Sequence, residues 1–143
     1  MVWLLLAGCT APLPDEVVVS EIAEPVGWWE REGYVRMAPP VDLPSAEASQ
    51  AQVEIWVRAP DSGLELVAHP DRRWVVRWPE GTLADRVEYR GTGDARHVVD
   101  VRGTRVGPDG VLFDHLYRPD GDGLFGLEWP STDAAAHQAA TAA

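Results

Sequence analysis

Trp74-Val75-Val76-Arg77-Trp78, Leu83-Ala84-Asp85-Arg86-Val87-Glu88-Tyr89, Val98-Val99-Asp100-Val101-Arg102 and Val111-Leu112-Phe113-Asp114-His115-Leu116-Tyr117 follow one another along a single stretch of the chain. Each segment is short and rich in β-branched and aromatic residues, and Gly and Pro punctuate the gaps, which is the pattern of antiparallel strands. Pro79-Glu80-Gly81 and Gly91-Thr92-Gly93-Asp94 supply two of the breaks. Gly107-Pro108-Asp109-Gly110 is the strongest turn signal in the chain and predicts a tight hairpin.

The pattern extends on both sides. Upstream, Val53-Glu54-Ile55-Trp56-Val57-Arg58 alternates, with Val53, Ile55 and Val57 on one face and Glu54, Trp56 and Arg58 on the other. Pro60-Asp61-Ser62-Gly63 turns the chain into Leu64-Glu65-Leu66-Val67-Ala68-His69, and His69-Pro70-Asp71 turns it again. Trp74, Val76 and Trp78 share a face that Arg77 opposes, and Val87 and Tyr89 oppose Arg86, Glu88 and Arg90. Downstream, Pro119-Asp120-Gly121-Asp122-Gly123 leads into Leu124-Phe125-Gly126-Leu127-Glu128-Trp129, and Pro130 ends the run.

About seven strands at intervals of roughly ten residues, with no convincing helix between them, predict an all-β fold, a small antiparallel sandwich or barrel. Parallel pairing is excluded by the absence of crossovers of about a dozen residues. A meander is the simplest topology, because consecutive strands are usually neighbours. The predicted organisation is a β domain over 53–130, an acidic Pro-rich linker over 9–52, and an Ala-rich, disordered tail over 131–143. Within the linker, Val17-Val18-Val19 offers an edge strand. Trp28-Trp29 and Tyr34-Val35-Arg36-Met37 are too aromatic for pure linker and are expected to pack on the domain as a strap or first strand.

Charge narrows the function. The chain of 143 residues carries a formal net charge of −11, with 23 acidic residues against 12 basic ones, and every basic residue is Arg. That balance argues against nucleic-acid binding, which needs clustered cations. No hydrophobic run approaches the ~20 residues of a membrane-spanning helix.

The amino terminus reads Met1-Val2-Trp3-Leu4-Leu5-Leu6-Ala7-Gly8-Cys9-Thr10. Leu6-Ala7-Gly8-Cys9 resembles the lipobox of bacterial lipoproteins. The resemblance implies removal of a signal peptide over residues 1–8, cleavage between Gly8 and Cys9, and fatty acylation of Cys9, which would tether the domain to the bilayer. Two or more acyl chains anchor durably, since each buried CH₂ contributes roughly 0.8 kcal/mol. In that family Asp after the lipidated Cys favours the inner membrane, so Thr10 points to the outer membrane, on its periplasmic or surface side. No Lys or Arg follows Met1 and the apolar run is shorter than a usual signal core, which suggests a start codon further upstream. With one Cys in the chain there is no internal disulfide and no Cys-based zinc site or covalently attached haem.

The remaining candidates are few. His69, His97 and His115, with Asp71, Asp94, Asp100 or Asp114, are candidate metal or haem ligands, although their spacing matches no local motif. Asp120-Gly121-Asp122-Gly123 opens like a calcium loop but lacks the later oxygen ligands and reads better as a hairpin turn. None of Ser20, Ser45, Ser49, Ser62 and Ser131 lies in a nucleophile elbow. Trp56, Trp74, Trp78 and Arg77 are the candidate face for a ligand or partner, an envelope protein or a glycan. The expected role is a membrane-anchored, non-catalytic accessory or interaction module of the cell envelope, with no cofactor beyond the covalent lipid. The alternatives are a periplasmic small-ligand or haem-binding β domain, and a hydrolase using paired carboxylates.

Overall fold

The computed structural model describes residues 18–42 and 51–142. Leu6 to Cys9, and the acylation expected there, lie outside the described residues.

The alternating segments form strands where the sequence places them. In chain order the elements are β1 (Val18–Ile22), α1 (Trp28–Arg31), β2 (Val35–Arg36), β3 (Val41–Asp42), β4 (Gln52–Arg58), β5 (Glu65–Ala68), β6 (Trp74–Arg77), β7 (Leu83–Arg90), β8 (His97–Val106), β9 (Leu112–Asp120), β10 (Gly123–Pro130) and α2 (Ala134–Ala142). The fold is all-β and antiparallel throughout. Eight strands form one sheet in the order β1-β10-β9-β8-β7-β4-β2, with β3 also pairing β4. The turn at Gly107-Pro108-Asp109-Gly110 joins β8 to β9 as predicted, with Asp109 and Gly110 both at positive φ.

The meander is broken in one place. β7 pairs with β4 rather than with β6, from Gln52↔Tyr89 to Arg58↔Leu83. β5 and β6 are looped out between them as a separate two-stranded sheet. The reason lies in side-chain chemistry: β7 supplies buried Asp85, Val87 and Tyr89, whereas every large apolar residue of β6 is exposed.

Residues 18–42 are part of the fold, so the expected linker over 9–52 is interrupted by structured chain. β1 pairs with β10 at one edge of the sheet and β2 with β4 at the other. Between them α1 crosses the inner face as a strap, with Gly27 at positive φ (67°) starting its single turn. Trp29 is completely buried in a cluster that also takes Ile22, Trp56, Val87, Val101 and Leu124. Residues of β1, β4, β7, β8 and β10 meet in that one cluster, so the sheet curls around the strap. Prolines 25, 39 and 40 break regular structure without preventing packing.

The tail also departs from expectation. Instead of disorder, residues 134–142 form α2, which packs on the outer face of the sheet. Asp133 accepts from the backbone N–H groups of Ala135 and Ala136 (3.0 and 2.9 Å), capping the helix. Ala136 and Ala140, four residues apart, bury their methyls against Leu116, Leu127 and Trp129. A helix this short is marginal alone; the apolar surface beneath it supplies the stability.

Candidate functional site

Among the described residues, the β5–β6 hairpin carries the largest run of exposed apolar side chains. Leu66 faces Val76 and Ala68 faces Trp74 across the ladder, so all four lie on one side. Trp74 is 71% and Leu66 65% exposed, and Leu64, Val76 and Trp78 are exposed as well. The opposite side holds the Glu65–Arg77 ion pair (3.2 Å). The tip is a tight turn in which His69 N–H donates to the Arg73 carbonyl (2.7 Å) and Arg72 takes a left-handed conformation (φ 70°). Asp71 fixes the turn through Arg73 Nε (2.7 Å) and His69 Nδ1 (2.7 Å). The Arg73 guanidinium, then His69, hold the Asp71 carboxyl below the usual carboxylate range. The tip therefore presents Arg72 and Arg73 beside an apolar face.

Trp56 does not belong to this surface. It is 4% exposed, because Glu54 and Trp56 point inward from β4 while Ile55 points out. Glu54 enters the core because four polar groups meet it there. Its Oε1 accepts from Arg36 Nη1 (3.2 Å) and Arg96 Nη2 (2.9 Å), and its Oε2 from Trp56 Nε1 (3.0 Å). Tyr89 is the fourth, its phenol pushed well above the usual range by burial and then by the Glu54 charge. Arg96 lies flat over the Tyr89 ring, 3.6 Å from its centroid. Two guanidiniums offset the desolvation of one carboxylate.

A second buried constellation sits deeper. Asp85 accepts from Trp29 Nε1 (2.8 Å) through Oδ2, and its Oδ1 is 2.7 Å from His115 Nε2. Asp85 is 2% and His115 5% exposed. Burial, and next the Asp85 charge, hold the Tyr34 phenol far above its ordinary value. A Cβ at Gly103 would overlap His115 Nε2 and Asp85 Oδ1, so β8 must carry glycine where the pair crosses it. A His–carboxylate pair suits acid–base chemistry; here both side chains are buried, with Trp29 hydrogen-bonded to Asp85, and both residues line the groove on the outer face. The pair's visible work is to tie the strap to β7 and β9. Of the serines weighed as nucleophiles, Ser20 donates to the Tyr117 hydroxyl (3.0 Å) and Ser131 to Asp114 (2.7 Å).

On the outer face a groove of about 460 Å³ runs between the sheet and α2, with Ile55, Ala84, Leu116, Trp129 and His137 among its walls. The Trp129 indole N–H is the one buried side-chain polar atom without a hydrogen-bond partner among the described residues. At the rim Arg86 pairs with Glu88 of its own strand and, at 3.9 Å, with Asp100 of the neighbouring one, and Arg102 pairs with Asp100 of its own strand.

The three candidate histidines are not brought together. His69 is in the hairpin turn, exposed His97 starts β8 with Nδ1 against the Ala95 carbonyl (3.0 Å), and His115 is internal. Among the described residues no group of three or more His, Cys, Asp or Glu is placed to hold a metal ion. Asp120 and Gly123 flank a two-residue turn between β9 and β10. Trp74 and Trp78 share one side of the hairpin, and Arg77 lies on the other, paired with Glu65. Sequence reasoning missed the Asp85–Trp29 link, although Asp85 shares its parity with Val87 and Tyr89, which was the available signal. Compared with known protein families, curated proteins and solved structures, the chain matches none.

Proposed function

We propose that this chain is a bacterial lipoprotein, acylated at Cys9 and held at the cell envelope, whose β domain is a non-catalytic interaction module. The observation that carries the module reading is the β5–β6 hairpin: it stands apart from the main sheet and its filled core, and its Trp74–Trp78 face is left uncovered. Contiguous exposed apolar surface rimmed by charge is the mark of a docking site, and Trp is enriched among the side chains that dominate docking energetics. The lipobox-like Leu6-Ala7-Gly8-Cys9 supports the anchor, and Thr10 an outer-membrane address.

The test is the intact mass of the full chain purified from the membranes of a Gram-negative host, beside Cys9→Ala. The expected product begins at Cys9 and carries acyl chains, and the variant lacks both changes and leaves the membrane fraction. A full-length, unmodified product in the soluble fraction would refute the anchor.

A second reading, binding of a small apolar ligand, is favoured by the outer groove, whose volume falls in the ~300–1,000 Å³ range of small-molecule sites. Its test is native mass spectrometry of the purified chain, with a co-purifying adduct lost in Ala84→Trp as the supporting result. No adduct would sink this reading.

A further inference from the structure

We propose that the β5–β6 hairpin docks on the bilayer itself, seating Leu66, Trp74, Val76 and Trp78 in the interfacial layer of the membrane that the acylated Cys9 anchors. The inference rests on the lipoprotein reading and names the partner of the module.

Strand register supplies the first argument. Arg58 pairs with Leu83, Leu83 with Arg105, Arg105 with Phe113 and Phe113 with Pro130, a row that crosses one end of the sheet. The hairpin leaves the sheet from this row, since it connects Arg58 to Leu83. Val18, where β1 begins, pairs with Glu128, two residues along the strand from Pro130. The chain leading back to Cys9 and the Trp-bearing hairpin therefore emerge from the same end. The β9–β10 turn at Gly121 and Asp122 marks the opposite end.

Reach supplies the second. Eight residues, 10–17, separate Cys9 from β1, a span of at most about 30 Å at ~3.3–3.6 Å per residue. From β1 to β7 there are four strand spacings, about 19 Å at ~4.8 Å each. An anchor at Cys9 thus holds the hairpin end within a short distance of the bilayer.

Chemistry supplies the third. Trp and Tyr concentrate at the membrane–water interface, where an apolar ring body and a polar N–H or O–H are both satisfied. At the hairpin tip Arg72 and Arg73 stand beside the apolar face, where long cationic side chains can bury their stems and reach the headgroup layer. A protein partner would fit the apolar face too; the end shared with the chain leading to Cys9 and the paired tryptophans favour lipid.

The experiment uses the full chain with Cys9→Ala and an N-terminal hexahistidine tag, held on phosphatidylethanolamine–phosphatidylglycerol vesicles containing a nickel-chelating lipid. Cys9→Ala leaves the chain without cysteine, so an environment-sensitive dye goes to Val76→Cys, or to Asp122→Cys as the far-end control. The expected result is a blue-shifted emission at position 76 that nitroxide-labelled lipids quench, with aqueous emission at 122. Adding Trp74→Ser and Trp78→Ser, both exposed positions, should return position 76 to the level of 122 with circular dichroism unchanged. Aqueous emission at 76, equal quenching at both sites, or a shift at 76 produced only by envelope proteins would each overturn the proposal. Because the tag replaces the acyl chains, failure here leaves the acylation of Cys9 to its own mass measurement, and an unacylated Cys9 with an inserted hairpin removes the anchor alone.

Discussion

Trp29→Phe tests whether the strap is held by one buried hydrogen bond. Trp29 is fully buried, and its indole N–H donates at 2.8 Å to Asp85 Oδ2. Phenylalanine keeps most of the apolar contact but removes the donor, leaving a buried carboxylate oxygen short of one partner. Loss of a hydrogen bond to a charged group costs about 1.5–3 kcal/mol. The smaller ring adds a void, and a total of about 2–4 kcal/mol is expected. For a domain of this size that corresponds to a melting temperature lower by roughly 5–15 °C. The assay is urea unfolding, read as a lower midpoint at unchanged slope. Trp28→Phe is the control: Trp28 packs edge-on against Trp29 (5.3 Å between centroids) and is only partly buried, so it should lose about 1 kcal/mol or less. A double-mutant cycle with Asp85→Asn should show a coupling of at least about 1 kcal/mol. If Trp29→Phe costs no more than Trp28→Phe, or the cycle shows no coupling, the hydrogen bond does not hold the strap.

Three further outcomes are expected. Gly103→Ala should destabilise by about 1–3 kcal/mol, because its Cβ collides with the His115–Asp85 pair; an unchanged unfolding midpoint would show that the pair moves freely. Burial holds the phenols of Tyr34, Tyr89 and Tyr117 above their ordinary value of 10.0. Above about pH 10 the unfolded chain therefore ionises its tyrosines while the fold does not. Stability should fall there by up to ~1.4 kcal/mol per pH unit for each phenol, and ultraviolet titration should show phenolate appearing together with unfolding rather than before it. Deleting residues 132–143 should uncover Leu116, Leu127 and Trp129 and cost about 1–3 kcal/mol; an unaltered midpoint in calorimetry would mean that α2 adds nothing.

Strand positions were legible because period-two alternation and turn chemistry are local properties. β7 to β10 and the turns between them appear where Val, Tyr, Gly and Pro predict them. Which side of a strand faces inward is not a local property. At β4 the alternation was correct, but it did not say that Glu54 and Trp56 form the inner side, because a carboxylate at Glu54 enters a core only when Arg36 and Arg96 arrive from elsewhere. The hairpin was misplaced in the topology for a related reason: β6 and β7 both look like strands, and only the mates available to each decide the pairing. In the amino-terminal segment the aromatic residues were legible as a strap: Trp29 is buried in the core and Val35–Arg36 pair with β4, inside a stretch that acid and proline otherwise mark as linker. The tail's Ala residues lack any amphipathic pattern, and a methyl-lined helix becomes stable only over an apolar strip such as that of β9 and β10. The hairpin's Trp74 and Trp78 share a parity that could be read directly, with Arg77 on the other side of the strand.

The pairing of β1 with β10 has a kinetic consequence. Val18 meets Glu128 across a separation of 110 residues, so the sheet acquires its outer edge only after nearly the whole chain is available. Topologies dominated by such distant contacts fold slowly, because a large loop entropy is lost before the contacts that reward it form. During synthesis Trp29 and its strap wait for β7, β8 and β10, the walls of their pocket. Until then the strap's indole has no pocket to enter.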